Sequence, residues 1–277
     1  MSRLFSTLTR QPLTLVGAIT VGIFVLMAIF GPMIAPYRYD TLVRGAARQP
    51  PSSEHLFGTD RLGRDVFSRV MWGAREIVGL PALTTALSVI FGSALGLFIG
   101  YRGGWIDEVV SRIMDSLLAI PALILALVML GTIGASQVGI VIVIAVLYTP
   151  IVARVVRSAV LSLRSMGYIE AAKLRGESDF YILFRELLPG VLPALVVEGA
   201  LRFSYAIFLT ASLGFLGLGV QPPSPDWGRM VNEARDSYTQ TPWALWAPAG
   251  AIAGLIIGVN LLSDGLRRIL RYEGSMA

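Results

Sequence analysis

The stretch SLLAIPALILALVMLGTIGASQVGIVIVIAVLYTPIVA, residues 116–153, runs for 38 residues without a charged side chain. A helix needs about 20 mostly apolar residues to cross a hydrocarbon core of about 30 Å, so the stretch is too long for one crossing and long enough for two. Its middle is broken by Gly131, Gly134, Ser136, Gln137 and Gly139, which favour a turn. The reading is a tight hairpin of two spans, the first starting upstream near Val109.

Working outward, the same criterion finds four more spans. Gln11 to Tyr37 is uncharged and contains the apolar run Leu13–Phe30, which places span one at 13–35. That run is longer than a signal-peptide core and ends in Gly31, Pro32 and Pro36, so it reads as an uncleaved anchor. Ile77–Tyr101 is span two, Pro193–Val220 is span five despite Glu198 and Arg202, and span six lies within Ser237–Ser263. The expectation is an all-α integral membrane protein with six transmembrane helices and both termini on one side. Its parts are an amino-terminal segment 1–12, an external loop 36–76, a five-span core 77–266 containing a cytoplasmic loop 154–193, and a tail 267–277.

The composition agrees with a bilayer protein. Of 277 residues, 55% are hydrophobic and 15% charged, with a mean hydropathy of +0.68; a soluble domain carries about 25% charged residues. With the amino terminus in the cytoplasm, thirteen basic residues fall inside, nine outside and Arg202 within a span. That is the direction of the positive-inside rule. The net charge of +5 then belongs to inside loops facing anionic lipid. A nucleic-acid partner would require a clustered basic face with aromatic platforms, which the sequence lacks. The absence of cysteine excludes disulfides, thiol nucleophiles and cysteine-built metal sites. There is one lysine, Lys173, between Ala172 and Leu174, so no Gly-Lys-Ser/Thr step exists to cradle a nucleotide's phosphates.

The cytoplasmic loop holds Tyr168-Ile-Glu-Ala-Ala-Lys-Leu-Arg-Gly176, which reads as a short helix stopped by a glycine able to turn left-handed. Ser178 or Asp179 can cap a second helix, whose Phe180, Leu183, Phe184, Leu187 and Leu188 recur at helical spacing. Pro189 and Pro193 mark the return to the membrane. The pair makes a knob projecting from the bilayer.

Glu170-Ala171-Ala172, then Gly176, then Leu188-Pro189 resembles the EAA loop of ABC importer permeases. The run His55-Leu-Phe-Gly-Thr-Asp-Arg-Leu-Gly-Arg-Asp-Val-Phe-Ser-Arg69 with Gly73-Ala-Arg75 resembles an external-loop signature of the dipeptide, oligopeptide and nickel permease family, in its second-permease (C-type) branch. Phe215-Leu-Gly-Leu-Gly-Val-Gln-Pro-Pro-Ser-Pro-Asp-Trp-Gly228 and Asn260-Leu-Leu-Ser-Asp-Gly-Leu-Arg267 are similar to two further stretches of that family. The chain departs from it in the basic run Arg268-Ile-Leu-Arg271-Tyr272, in Thr210 where many relatives carry glutamate, and in Glu186 or Leu187 where isoleucine is common.

The resemblance implies a non-enzymatic subunit forming half of a translocation pathway in a bacterial or archaeal inner membrane, with both termini cytoplasmic. It implies a homologous second permease, two cytoplasmic ATPase subunits that hold the ATP and Mg, an extracytoplasmic binding protein, surrounding lipid, and no cofactor on this chain. Peptides are the foremost cargo, with nickel chelates, glutathione and other small solutes behind. Tyr168, Glu170, Ala171, Ala172, Lys173 and Gly176 are the implied ATPase interface.

Glu198 and Arg202 stand four apart and share a helix face. They either line the pathway, as intramembrane ionisable residues often do, or let Arg202 snorkel to the interface. Thr210 is the third pathway candidate. Asp60, Arg64 and Asp65 either hold the external loop folded or meet the binding protein. Asp226 and Trp227 are the candidates for an exposed outer gate or binding-protein contact. His55 as a nickel ligand and Pro121 as a kink in span three complete the set. Two other functions compete: a self-sufficient secondary transporter, expected to show paired halves, and an intramembrane aspartyl enzyme, for which Asp115 and Asp264 are the near candidates.

Overall fold

The computed structural model describes residues 12–43 and 45–274. The expected amino-terminal segment with Arg3 and Arg10, Arg44 and the last three residues of the tail lie outside them. The described residues form nine helices: α1 (Pro12–Ile34), α2 (Val66–Arg102), α3 (Gly104–Leu118), α4 (Ala122–Ile133), α5 (Gln137–Leu163), α6 (Gly167–Leu174), α7 (Asp179–Phe215), α8 (Trp227–Arg235) and α9 (Pro242–Gly274). No strand occurs among them; one isolated bridge pairs Thr59 with Asp65.

Helices α1, α2, α5, α7 and α9 are each long and apolar enough to cross a bilayer, and α3 with α4 meets the same criterion only as a bent pair, which gives five to six candidate spans. The break is an 88° bend at residues 119–121. Pro121 stands at the α4 N-cap, where a missing N–H costs no intrahelical bond. Asp107 and Asp115 of α3 pair with Arg157 and Arg154 of α5, and these charges are what a charge-free criterion could not place within a span.

Four other features of the helices differ from the sequence reading. Helix α2 starts at Val66, inside the expected external loop, because Asp65 accepts a hydrogen bond from the Ser68 N–H at 2.7 Å and caps it. Its charged first turns survive because Arg69 is buried in an ion network. Helix α5 continues to Leu163 and α7 begins at Asp179, so much of the expected loop 154–193 is helix continuous with its neighbouring spans. Pro189 does not end the second loop helix. A π turn at Ile182–Leu187 widens the backbone just before it, with the Leu188 N–H donating to the Leu183 carbonyl, and the helix passes through Pro189 into the span. Helix α9 likewise continues through the expected tail to Gly274.

The spans pack through glycines. Gly92, Gly96 and Gly100 bring α2 against Val152, Val156 and Val160 of α5, where a Cβ on Gly96 would overlap the Ala153 carbonyl. Close backbone approach of this kind replaces the hydrophobic drive that lipid cannot supply. Gly17 of α1 meets Leu262 of α9, while Leu13, Ile19, Ile23 and Leu26 of α1 remain exposed as a lipid face.

Candidate coupling knob and membrane-embedded polar site

The knob is α6, its turn and the start of α7. Gly176 takes φ +75, its N–H donating to the Lys173 carbonyl while the Glu177 N–H donates to that of Ala172. This closes α6 with the left-handed cap that a glycine permits. Ser178 then caps α7 by accepting from the Tyr181 N–H. Ile169, Ala172, Ile182 and Leu187 are fully or almost fully buried against Leu97 of α2 and Val152, Val156 and Val160 of α5. The Tyr101 hydroxyl donates to Asp179 at 3.0 Å, Arg102 meets the same carboxylate at 3.1 Å, and the Lys173 ammonium lies 5.5 Å from the Tyr101 ring centroid. The knob therefore rides on the ends of α2, α5 and α7.

One expected interface residue, Ala172, is buried beneath the knob, while Lys173 is exposed with its ammonium over the Tyr101 ring of α2. Tyr168, Glu170 and Ala171 are exposed as expected, and Gly176 is exposed at the turn. The sequence reading missed Leu174, 90% exposed, and Phe180, 70% exposed, whose ring lies 4.5 Å from that of Phe184. Three large apolar side chains outside the spans were the available signal.

At the opposite end, the structure corrects Asp226 and Trp227. Trp227 is 0% exposed and donates its indole N–H to the Val70 carbonyl at 3.0 Å. Gly73 and Gly228 leave room for it and for α8 to sit between α2 and α7. Asp226 is buried as the α8 N-cap, accepting from the Arg229 N–H at 2.8 Å. Burial pushes its pKa from 3.8 to about 6. Neither residue offers an exposed contact.

The signature stretch from His55 to Arg69 is a clasp. The Asp60 carboxylate takes Arg64 at 2.6 Å and Arg69 at 2.8 Å, and Glu233 of α8 takes Arg64 at 2.6 Å and Arg69 at 3.4 Å. Burial works to raise the pKa of Glu233, but Arg69 and Arg64 outweigh it and hold the carboxyl below its ordinary value. His55 Nδ1 meets Asp65 Oδ1 at 2.9 Å with both side chains buried, and no group of three His, Cys, Asp or Glu side chains placed to hold a metal occurs among the described residues.

Glu198 and Arg202 lie within α7, about 20 Å of helix short of Phe215. Arg202 packs between two phenol rings. Its guanidinium carbon stands 5.4 Å from the Tyr148 ring centroid and 4.8 Å from that of Tyr205, with its side chain 12% exposed. Arg202 Nε is 2.7 Å from Glu198 Oε1, yet neither atom is aligned for a hydrogen bond. Tyr205, three residues after Arg202, was legible as a neighbour; Tyr148 belongs to α5 and was not. Thr210 is buried with its hydroxyl unpartnered, in the same helix but further toward its end. Asp115 pairs with Arg154, so it faces a cation instead of a second aspartate.

A bundle of candidate spans carrying one helical knob defines an all-α integral membrane protein. Residues 92–272 match the family described as binding-protein-dependent transport system inner membrane component, and residues 2–51 match the N-terminal TM domain of oligopeptide transport permease C. The chain is 42% identical to the dipeptide transport system permease protein DppC of Alkalihalophilus pseudofirmus, over 96% of this chain and 88% of that one. It is 40% identical to the glutathione transport system permease protein GsiD of Escherichia coli O157:H7, over 94% and 86% respectively. An inward-facing structure of the MetNI methionine ABC transporter shares the fold, with a TM-score of 0.59 at 21% identity over 74% of this chain and 95% of that one. The chain belongs to the family of binding-protein-dependent transport system inner membrane components, and it is a multi-pass permease subunit of an ABC importer.

Proposed function

We propose that this chain is one half of the translocation pathway of an importer for short peptides, driven through its knob by a cytoplasmic ATPase. The observation that carries the docking is the exposed set Tyr168, Ala171, Leu174, Phe180 and Phe184 on a knob anchored into three spans. Exposed apolar side chains on a rigid support are what a protein partner covers. Motion imposed there reaches α2, α5 and α7 without passing through a flexible linker.

Dipeptide and glutathione permeases among the relatives support a peptide cargo. The account then requires a second permease, two ATPase subunits holding ATP and Mg, and a binding protein at the α8 end, with both termini on the knob side in the cytoplasm. A protein without cysteine suits the test: Phe180→Cys, in membranes also containing the partner ATPase, should cross-link to that ATPase through a short thiol-to-amine reagent. Free reaction of this cysteine with an impermeant reagent from outside the cell would overturn the topology and the docking together.

A further inference from the structure

Arg202 and Glu198 form a largely buried pair of opposite charges. The one ion-pair partner of Arg202 among the described residues is Glu198, and the facing Nε and Oε1 atoms are not aligned for a hydrogen bond. Two phenol rings flank the cation, one from α5 and one from α7. Tyr205 leaves 53% of its surface open. A guanidinium, a carboxylate and an open phenol within a span do not face lipid tails; such groups face protein or a water-filled path.

We propose that Arg202 is a carboxylate way-station in the pathway, taking the free C-terminal carboxylate of the passing peptide, with Glu198 as the competing anion that displaces it. The planar fork of an arginine accepts a carboxylate through two parallel hydrogen bonds, and rings on its flanks leave that edge free. Glu198 shields the cation when the path is empty. Because it stays within reach at 2.7 Å, it returns as the peptide leaves and prevents a trap. Tyr148 and Tyr205 keep the guanidinium from swinging toward lipid, through cation–π contact that strengthens when water is excluded.

This inference rests on the peptide-importer reading, and the test separates the two. The assembled importer in proteoliposomes is supplied with saturated binding protein carrying either dialanine or dialanine amide, and uptake by each variant is divided by native uptake of the same compound. The division cancels the binding protein's own preference. Arg202→Lys should lower relative uptake of dialanine about tenfold or more, while relative uptake of the amide changes less than about threefold. Tyr205→Leu, at a half-exposed position that does not threaten the fold, should move the same ratio in the same direction and decides the question if Arg202→Lys does not insert. An equal loss for acid and amide, or no loss for either, overturns the way-station. Native importer that takes up neither compound overturns the peptide reading instead, and the way-station with it.

Discussion

The Tyr101 hydroxyl donates a hydrogen bond to Asp179 at 3.0 Å, joining the end of α2 to the first residue of α7. Arg102 holds the same carboxylate at 3.1 Å, so the last turn of one span and the knob move together. The contacts are solvent-exposed and contribute less than about 1 kcal/mol each to stability. Their value lies in geometry, since the knob has to pass a displacement to a helix 37 residues long.

Asp179→Ala therefore separates motion from folding. Expression and melting temperature should stay near native, while peptide taken up per ATP hydrolysed falls about two- to fivefold, as expected if about 0.5–1 kcal/mol of coupling is lost. Tyr101→Phe, which keeps the ring under Lys173, should give a smaller effect. Parallel uptake and ATPase assays on the reconstituted importer check both.

Gly176→Pro places a residue fixed near φ −65° where the backbone holds φ +75. Because Gly176 is exposed, the protein should still insert, but α6 can no longer close with its left-handed cap and transport-coupled ATP hydrolysis is lost. Glu170→Arg should give the same loss through charge reversal on the exposed side of α6. Normal coupled turnover by either variant would contradict the docking account.

Glu233→Gln tests the clasp. It removes a partly exposed carboxylate that Arg64 and Arg69 face while Asp60 still pairs with both, so the loss should be about 1–3 kcal/mol. The variant should melt several degrees lower in detergent. The native contribution has a definite sign with pH: the folded pKa of Glu233 is depressed, so its stabilisation is present above the ordinary carboxyl value and fades as pH falls through the folded one.

Asp226 runs the other way. Its folded pKa of about 6 lies above the ordinary 3.8, so its contribution is complete below 3.8 and is lost as pH rises through about 6. Asp226→Asn keeps an oxygen for the Arg229 N–H and removes the titration. Its melting temperature should vary less than that of the native protein between pH 5 and about 7.

Gly96→Leu should prevent α2 from reaching α5, because even a Cβ there overlaps the Ala153 carbonyl. Gly22 of α1 has nothing within 4 Å of an added Cβ, so Gly22→Ala should be neutral or stabilise by up to about 1 kcal/mol. Folded yield by size-exclusion chromatography distinguishes the two.

Periodicity and charge-free length made the spans legible, and Gly176 and the alternatives Ser178 or Asp179 signalled the knob's two caps, of which Ser178 is the one that caps α7. What stayed hidden depended on partners distant in sequence. Arg69 looked like a loop residue because Glu233, 164 positions later, completes its burial. Asp107 and Asp115 looked like the end of a span because Arg157 and Arg154 neutralise them from α5. Trp227 looked exposed because a Pro-rich stretch usually marks a surface turn, whereas two glycines, Gly73 and Gly228, make room for it between helices. Within the knob, helical spacing could not distinguish Ala172, buried, from Ala171, exposed, since one residue of rotation decides which alanine meets the spans.

The central claim is that this permease moves peptide only when a partner ATPase works through the knob. Uptake of labelled dialanine into proteoliposomes containing the assembled importer measures it directly. The account predicts uptake that requires both ATP inside and binding protein outside, and that disappears in Gly176→Pro; uptake driven by an ion gradient without ATP would contradict it.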